Sequence, residues 1–178
     1  MIAPVLSNEA TRLDALRSCG ILDTGPEDEF DAITRVAARV CGTPIALISL
    51  VDETRQWFKS RVGMETTETS RDVSFCAHAI GQPGPLLVRD ALEDARFSDN
   101  PLVMAGPQIR FYCGMPLLSE GLGLGSLCVI DTVPRELTAD QMEIMAVLSE
   151  AVVTRLQLRR ALRLLEDYRN HTRRLSIQ

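Results

Sequence analysis

Apolar positions run almost unbroken through Ile45, Ala46, Leu47, Ile48, Leu50 and Val51, the pattern of a strand covered on both faces. Asp52-Glu53-Thr54-Arg55 supplies polar turn chemistry. The following residues alternate, with Trp57, Lys59 and Arg61 on one face and Phe58 on the other. Pro44 to Gly63 is therefore predicted to be a hairpin of two strands. A first strand that is apolar on both faces needs helices or loops on each side, and the rest of the chain is read as supplying them.

Before the hairpin, Leu13 and Leu16 form the stripe of a helix over residues 8–18, with Ser7 or Asn8 at its start and Gly20 just past its end. Thr24-Gly25-Pro26-Glu27 has the T-x-x-E form of a capping box. It predicts a second helix to Cys41, with a stripe of Phe30, Ile33, Ala37, Val40 and Cys41 closed by Gly42. After the hairpin, residues 64–70 read as a polar loop. Asp72 is placed to cap a short helix ending near Ile80, and a third strand follows over residues 86–90. Residues 91–107 are irregular, with one turn of helix expected at 93–97, and a loop of that length in a compact domain suits a binding loop or lid. Strands are predicted at 109–112, at 115–119 as continuation or partner, and at 124–131 after a Glu120–Gly123 turn. The glycines of that turn, GLGLGS, lack the lysine of a phosphate-binding loop and the third glycine of a dinucleotide fingerprint.

Thr138-Ala139-Asp140-Gln141 is another capping box and opens a long helix reaching about Thr172. Met142, Met145, Leu148 and Val152 give its first half an apolar face. Leu148, Ala151, Arg155, Leu158, Leu162, Leu165 and Arg169 continue in steps of three and four, a heptad seam interrupted twice by arginine. Leucines on a seam that outruns the domain call for a partner helix, so a homodimer is expected. Leu13, Leu16, Leu148, Val152, Leu158, Leu162 and Leu165 are its candidate contacts. The helix meets Leu175-Ser176-Ile177-Gln178 without a terminator, which favours a longer natural chain.

Composition narrows the classes. The 178 residues suit one domain with an appendage, 46% hydrophobic and 24% charged residues are ordinary for a globular protein, and a net charge of −5 argues against a nucleic-acid surface. No apolar run approaches the ~18 residues of a membrane span, and no secretory signal opens the chain, so a cytoplasmic protein without membrane or nucleic-acid partners is expected. Five cysteines without a CxxC, beside two histidines, argue against a metal cluster. Cys41 and Cys128 lie in apolar patterns and read as reduced core residues.

The blocks LDTGPEDEFDAITRVAARVCGTPIALISLVDETRQWFKSRVG, RDVSFCAHAI, VRDALEDARFSDNPLV, IRFYCGMPL and LGSLCVIDTVPREL, in this order, resemble the GAF domain family, in particular the amino-terminal sensory GAF domains of bacterial histidine kinases and diguanylate cyclases. The resemblance implies an α+β fold. Its antiparallel sheet of five or six strands carries a helix bundle on one face, which usually dimerises, and a pocket roofed by the short helix and the irregular segment on the other. The organisation it suggests is an N-terminal helix over 1–19, the GAF domain over 20–158 and a helical extension over 159–178. It also implies a non-enzymatic sensor that binds a small molecule and signals to a histidine kinase or diguanylate cyclase output, the kinase being favoured.

Candidate ligand contacts are Trp57, Lys59, Ser74, Phe75, Cys76, His78, Phe97, Asn100, Arg110 and Tyr112, with Arg61 as a further cation for an anionic ligand. Cys76 and His78 are two apart on a helix and point different ways, so they do not form a nucleophile–base pair. Bilin-binding GAF domains often follow the attachment cysteine directly with histidine; Cys76-Ala77-His78 departs from that order and argues against bilin. Free methionine-(R)-sulfoxide reductases are GAF enzymes with several pocket cysteines. A reductase with Cys76 and Cys113 facing one pocket is the enzymatic alternative, and a ligand-free dimerisation domain is the structural one. The sequence names no cofactor.

Overall fold

The computed structural model describes residues 4–175; of the stretch Leu175–Gln178 read as lacking a terminator, 176–178 lie outside them. Two helices, α1 (Glu9–Ser18) and α2 (Asp28–Cys41), precede the hairpin of β1 (Ile45–Val51) and β2 (Arg55–Val62). A short strand β3 (Glu68–Ser70), a 3-10 turn (Arg71–Val73), α3 (Phe75–Ala79), β4 (Leu86–Val88), α4 (Pro101–Met104), β5 (Phe111–Ser119), β6 (Leu122–Asp131) and α5 (Ala139–Leu175) follow. The six strands form one antiparallel sheet in the order β3-β2-β1-β6-β5-β4.

β1, apolar but for Ser49, lies at the centre of the sheet, and alternation divides it between two cores. Ala46, Ile48 and Leu50 join Leu16, Phe30, Ile33, Ala37, Met145, Val152 and Leu156 beneath α1, α2 and α5. Ile45, Leu47 and Val51 join Phe75, Phe97, Val103 and Tyr112 beneath α3, α4 and their connections. The helix bundle and the roof thus cover opposite faces. Gly20 and Gly42 end α1 and α2 with φ of +57° and +61°, the left-handed closure that glycine adopts at low cost.

Several local readings are corrected. The Thr24–Glu27 capping box does not form: Thr24 donates to the Ile21 carbonyl, and α2 starts at Asp28 without a side-chain cap. Glu27 is instead taken by Lys59 and by Arg159 of α5. Ser74, not Asp72, caps the short helix by accepting from the Ala77 amide. The polar segment before it includes β3, paired with β2 at the sheet edge. The Thr138 box does form, its hydroxyl accepting from Gln141 N at 3.2 Å and Gln141 Oε1 from Thr138 N at 2.9 Å.

The alternation assigned to β2 fails at one residue. Ile48 faces Ser60 and Ser49 faces Phe58, which leaves Lys59 as the extra residue of a bulge. Lys59 and Ser60 both turn toward α2, where Ser60 donates to Asp31. Arg61 is shifted out of the face it was assigned with Trp57 and is exposed.

The candidate dimer surface also divides. Leu13, Leu16 and Val152 belong to the chain's own core, with Leu16 and Val152 fully buried, so they are unavailable to a partner. Leu148 packs partly against that core. Leu158, Leu162 and Leu165 are 59%, 52% and 60% exposed along the second half of α5.

Candidate functional site

Between the sheet and its roof lies a cavity of about 470 Å³. Its floor is Ile45, Leu47, Phe58, Tyr112 and Ile130; Phe75, Cys76, Leu102, Pro107 and Ile109 enclose it, and Met64, Glu65 and Thr66 form part of its wall. A mostly apolar lining with a few fixed polar groups is the usual character of a small-molecule site.

The polar groups are organised by Gln56, buried on the cavity face of β2. Its Oε1 accepts from Ser74 Oγ at 2.6 Å and Ser49 Oγ at 3.3 Å, while its Nε2 donates to Thr69 Oγ1 at 2.5 Å. One side chain therefore links β1, β2, β3 and the cap of α3. Deeper in, the Tyr112 hydroxyl donates to Cys76 Sγ at 3.4 Å and lies 3.2 Å from Ser126 Oγ. Cys76 Sγ is 3.9 Å from Cys128 Sγ. Tyr112 can lie flat along β5 because Gly114, two residues on and on the same face, has no Cβ to strike its ring.

An aromatic stack supports the roof. Phe75 lies parallel to Phe97 with centroids 4.1 Å apart and tilts against Tyr112 at 5.1 Å, while His78 meets Phe97 edge-on at 5.0 Å. Asn100 caps α4 by accepting from Leu102 N and donates to Val73 O, which ties α4 to the 3-10 turn.

Titration follows these surroundings. The hydrogen bond from Cys128, with others from Ser126, Ser49 and Tyr112, lowers the Cys76 thiol against the upward push of burial. The same contact and burial raise Cys128. Burial, followed by the nearby cysteines, raises Tyr112. Burial lowers His78, and the Arg96 charge adds to the effect against Asp94.

Of the predicted contacts, Phe75, Cys76 and Tyr112 line the cavity. Ser74 stands behind them on Gln56, while His78, Phe97 and Asn100 brace the roof. Arg110 donates to the Val103 and Ile109 carbonyls and holds the loop before β5. Trp57 and Lys59 are removed from the site. Trp57 packs in the helix-side core. On the same face, the fully buried Lys59 side chain reaches Thr24 Oγ1, Gly25 O and Glu27 Oε1 at 2.9, 2.7 and 2.6 Å. Cys113 faces Met142 of α5 at 3.8 Å, across the sheet from Cys76, so the shared-pocket arrangement of a reductase is not formed. Of Trp57 and Phe58, which alternation puts on opposite faces, Phe58 is the one on the cavity floor; Gln56 was missed, although period-two spacing places it on the face of Phe58. No group of three metal-ligating side chains occurs among the described residues.

The GAF domain family profile matches residues 25–156. A curated relative, a cyclic di-GMP phosphodiesterase of Pseudomonas aeruginosa, is 47% identical over 133 residues, 74% of this chain but 23% of that protein's length. The GAF domain of an Acinetobacter phosphoenolpyruvate-protein phosphotransferase superposes with a TM-score of 0.62 at 17% identity, over 85% of this chain and 96% of that one. Free methionine-R-sulfoxide reductase from Neisseria meningitidis superposes at 0.61 with 14% identity, over 89% and 96%. At such identities the likeness is one of fold.

Proposed function

The chain belongs to the GAF domain family, and from that premise we propose that it is a cytoplasmic sensory module that binds a small molecule and passes the change to α5. The roofed cavity of about 470 Å³ carries this reading. Its connection to α5 supports it. Phe58 lines the cavity; its neighbour Lys59 holds Glu27 on the opposite face, and Glu27 also accepts from Arg159 Nη1 at 3.0 and 3.2 Å. A ligand that favours one position of β2 thereby favours one seating of α5.

Two copies pair through the exposed Leu158, Leu162 and Leu165, and α5 delivers the change to an output in a longer chain or a partner. An output that turns over cyclic di-GMP ranks ahead of a histidine kinase, because the relative at 47% identity is a cyclic di-GMP phosphodiesterase. Native mass spectrometry of freshly purified protein tests the reading. A dimer carrying a discrete adduct that is lost on denaturation is the expected result. A bare monomer at micromolar concentration overturns the pairing.

A further inference from the structure

The sulfur pair beneath the cavity has a chemical capacity of its own, whatever ligand the cavity takes. Cys76, on α3, forms part of the cavity wall, and Cys128, on the central strand β6, lies directly behind it. Their Sγ atoms are 3.9 Å apart, both thiols are free, and the Tyr112 hydroxyl donates to the outer sulfur. Closing to a disulfide S–S distance of about 2.05 Å requires each sulfur to move by only about 1 Å. Both cysteines are buried, but Cys76 lines the cavity and Cys128 does not, which separates an attacking thiol from a resolving one.

We propose that Cys76 and Cys128 form a hydroperoxide-reactive dithiol site. The Cys76 thiolate attacks the terminal oxygen of a hydroperoxide, so that an S–O bond forms, the O–O bond breaks and the alkoxide departs with a proton as the alcohol. Cys128 then attacks Cys76 Sγ. The S–S bond forms, the S–O bond breaks, and the departing hydroxide takes the Cys128 thiol proton as water. Two electrons pass from the sulfur pair to the peroxide bond, and the balance is two thiols plus ROOH giving disulfide, ROH and water.

Several observations assign the roles. Hydrogen bonds from Cys128 and the surrounding hydroxyls lower the Cys76 thiol while Cys128 is raised, so the cysteine that lines the cavity is also the more readily ionised one. Cys113 and Cys41 lie in the other core, where burial pushes their thiols up to about 12 and about 11. The apolar cavity lining suits small organic hydroperoxides as well as hydrogen peroxide. A Cys76–Cys128 bond ties the roof helix to the middle of the sheet.

The test treats the reduced, folded chain with hydrogen peroxide or tert-butyl hydroperoxide at neutral pH and maps the products by mass spectrometry. The intact mass is expected to fall by about 2 Da, with a Cys76–Cys128 link within one chain that dithiothreitol reverses. Titratable thiols should drop by two from the starting five. Cys128→Ser should stop at a sulfenic acid on Cys76, about 16 Da heavier and trapped by dimedone. Cys113→Ser should behave as the unaltered chain. Oxidation of Cys19, Cys41 or Cys113 ahead of Cys76, or links only between chains, overturns the proposal. So does an intact Cys76 thiol in protein whose circular dichroism stays native. The peptide map of the unaltered chain decides the matter even if a serine variant does not fold.

Discussion

Glu9 stands between two buried guanidinium groups, and replacing it with glutamine isolates what that contact contributes. Arg12 Nη2 and Nε reach its two oxygens at 2.6 and 3.2 Å, and Arg71 Nη1 and Nη2 do so at 2.6 and 3.1 Å. Arg12 also donates to Val51 O and Gly123 O, and Arg71 to Asp52 O, so the cluster fastens α1 to β1, β6 and the turn before α3. Burial pushes the Glu9 carboxyl up, but the hydrogen bonds from Arg71 and Arg12, together with their charges, prevail and hold it at about 2. Set against the ordinary glutamate value of 4.5, the depression corresponds to roughly 3 kcal/mol of stability. Because the folded value is the lower one, this contribution is complete above about pH 5 and disappears as pH falls toward 2. Urea unfolding of the unaltered chain and Glu9→Gln across pH 2–8 reads it, and the difference between the two curves cancels the other carboxylates. The gap should be about 3 kcal/mol at pH 7 and shrink steadily below pH 5. A gap under ~1 kcal/mol at pH 7, or one that does not change with pH, would refute the assignment.

Lys59→Met removes the donor from three acceptors beneath α2 and should cost about 2–4 kcal/mol in urea unfolding; a loss under ~1 kcal/mol would mean that Lys59 does not tie β2 to Glu27. Thr138→Ala breaks a capping box that is fully formed and should cost about 1 kcal/mol by the same measurement, whereas Thr24→Ala, at the box that did not form, should leave the helicity of α2 unchanged by circular dichroism.

What the sequence discloses about this molecule depends on how local the cause is. The central strand is legible because both of its faces are apolar within seven residues, Ile45–Val51, and the start of α5 because Thr138 and Gln141 satisfy each other. Alternation already put Lys59 on the face of Trp57, but which face of the sheet that is, and the reversal beyond the bulge at Lys59, are illegible because they answer to Thr24, Gly25 and Glu27, over thirty positions away. Glu27 looks like a cap until Lys59 and Arg159 compete for it. Nothing local in the sequence marks Arg12 as buried, yet it is fully buried, because its partners Val51 and Gly123 come from strands that only the assembled sheet brings to it. In the site, residue types at the roof pointed the right way. Alternation along β5 already put Cys113 opposite Tyr112, a signal that argues against a pocket shared with Cys76.

The strand order has a consequence for how the molecule is made. β1 pairs on one side with β2, its immediate successor, and on the other with β6, which begins at Leu122. On a ribosome adding ~5–20 residues each second, the some 70 residues between Val51 and Leu122 take about 4–14 s to appear. During that interval the most apolar strand of the protein has an open edge. The nascent chain therefore needs a chaperone, or a rapid collapse of α2 onto the hairpin, to reach the point at which its last strand closes its first.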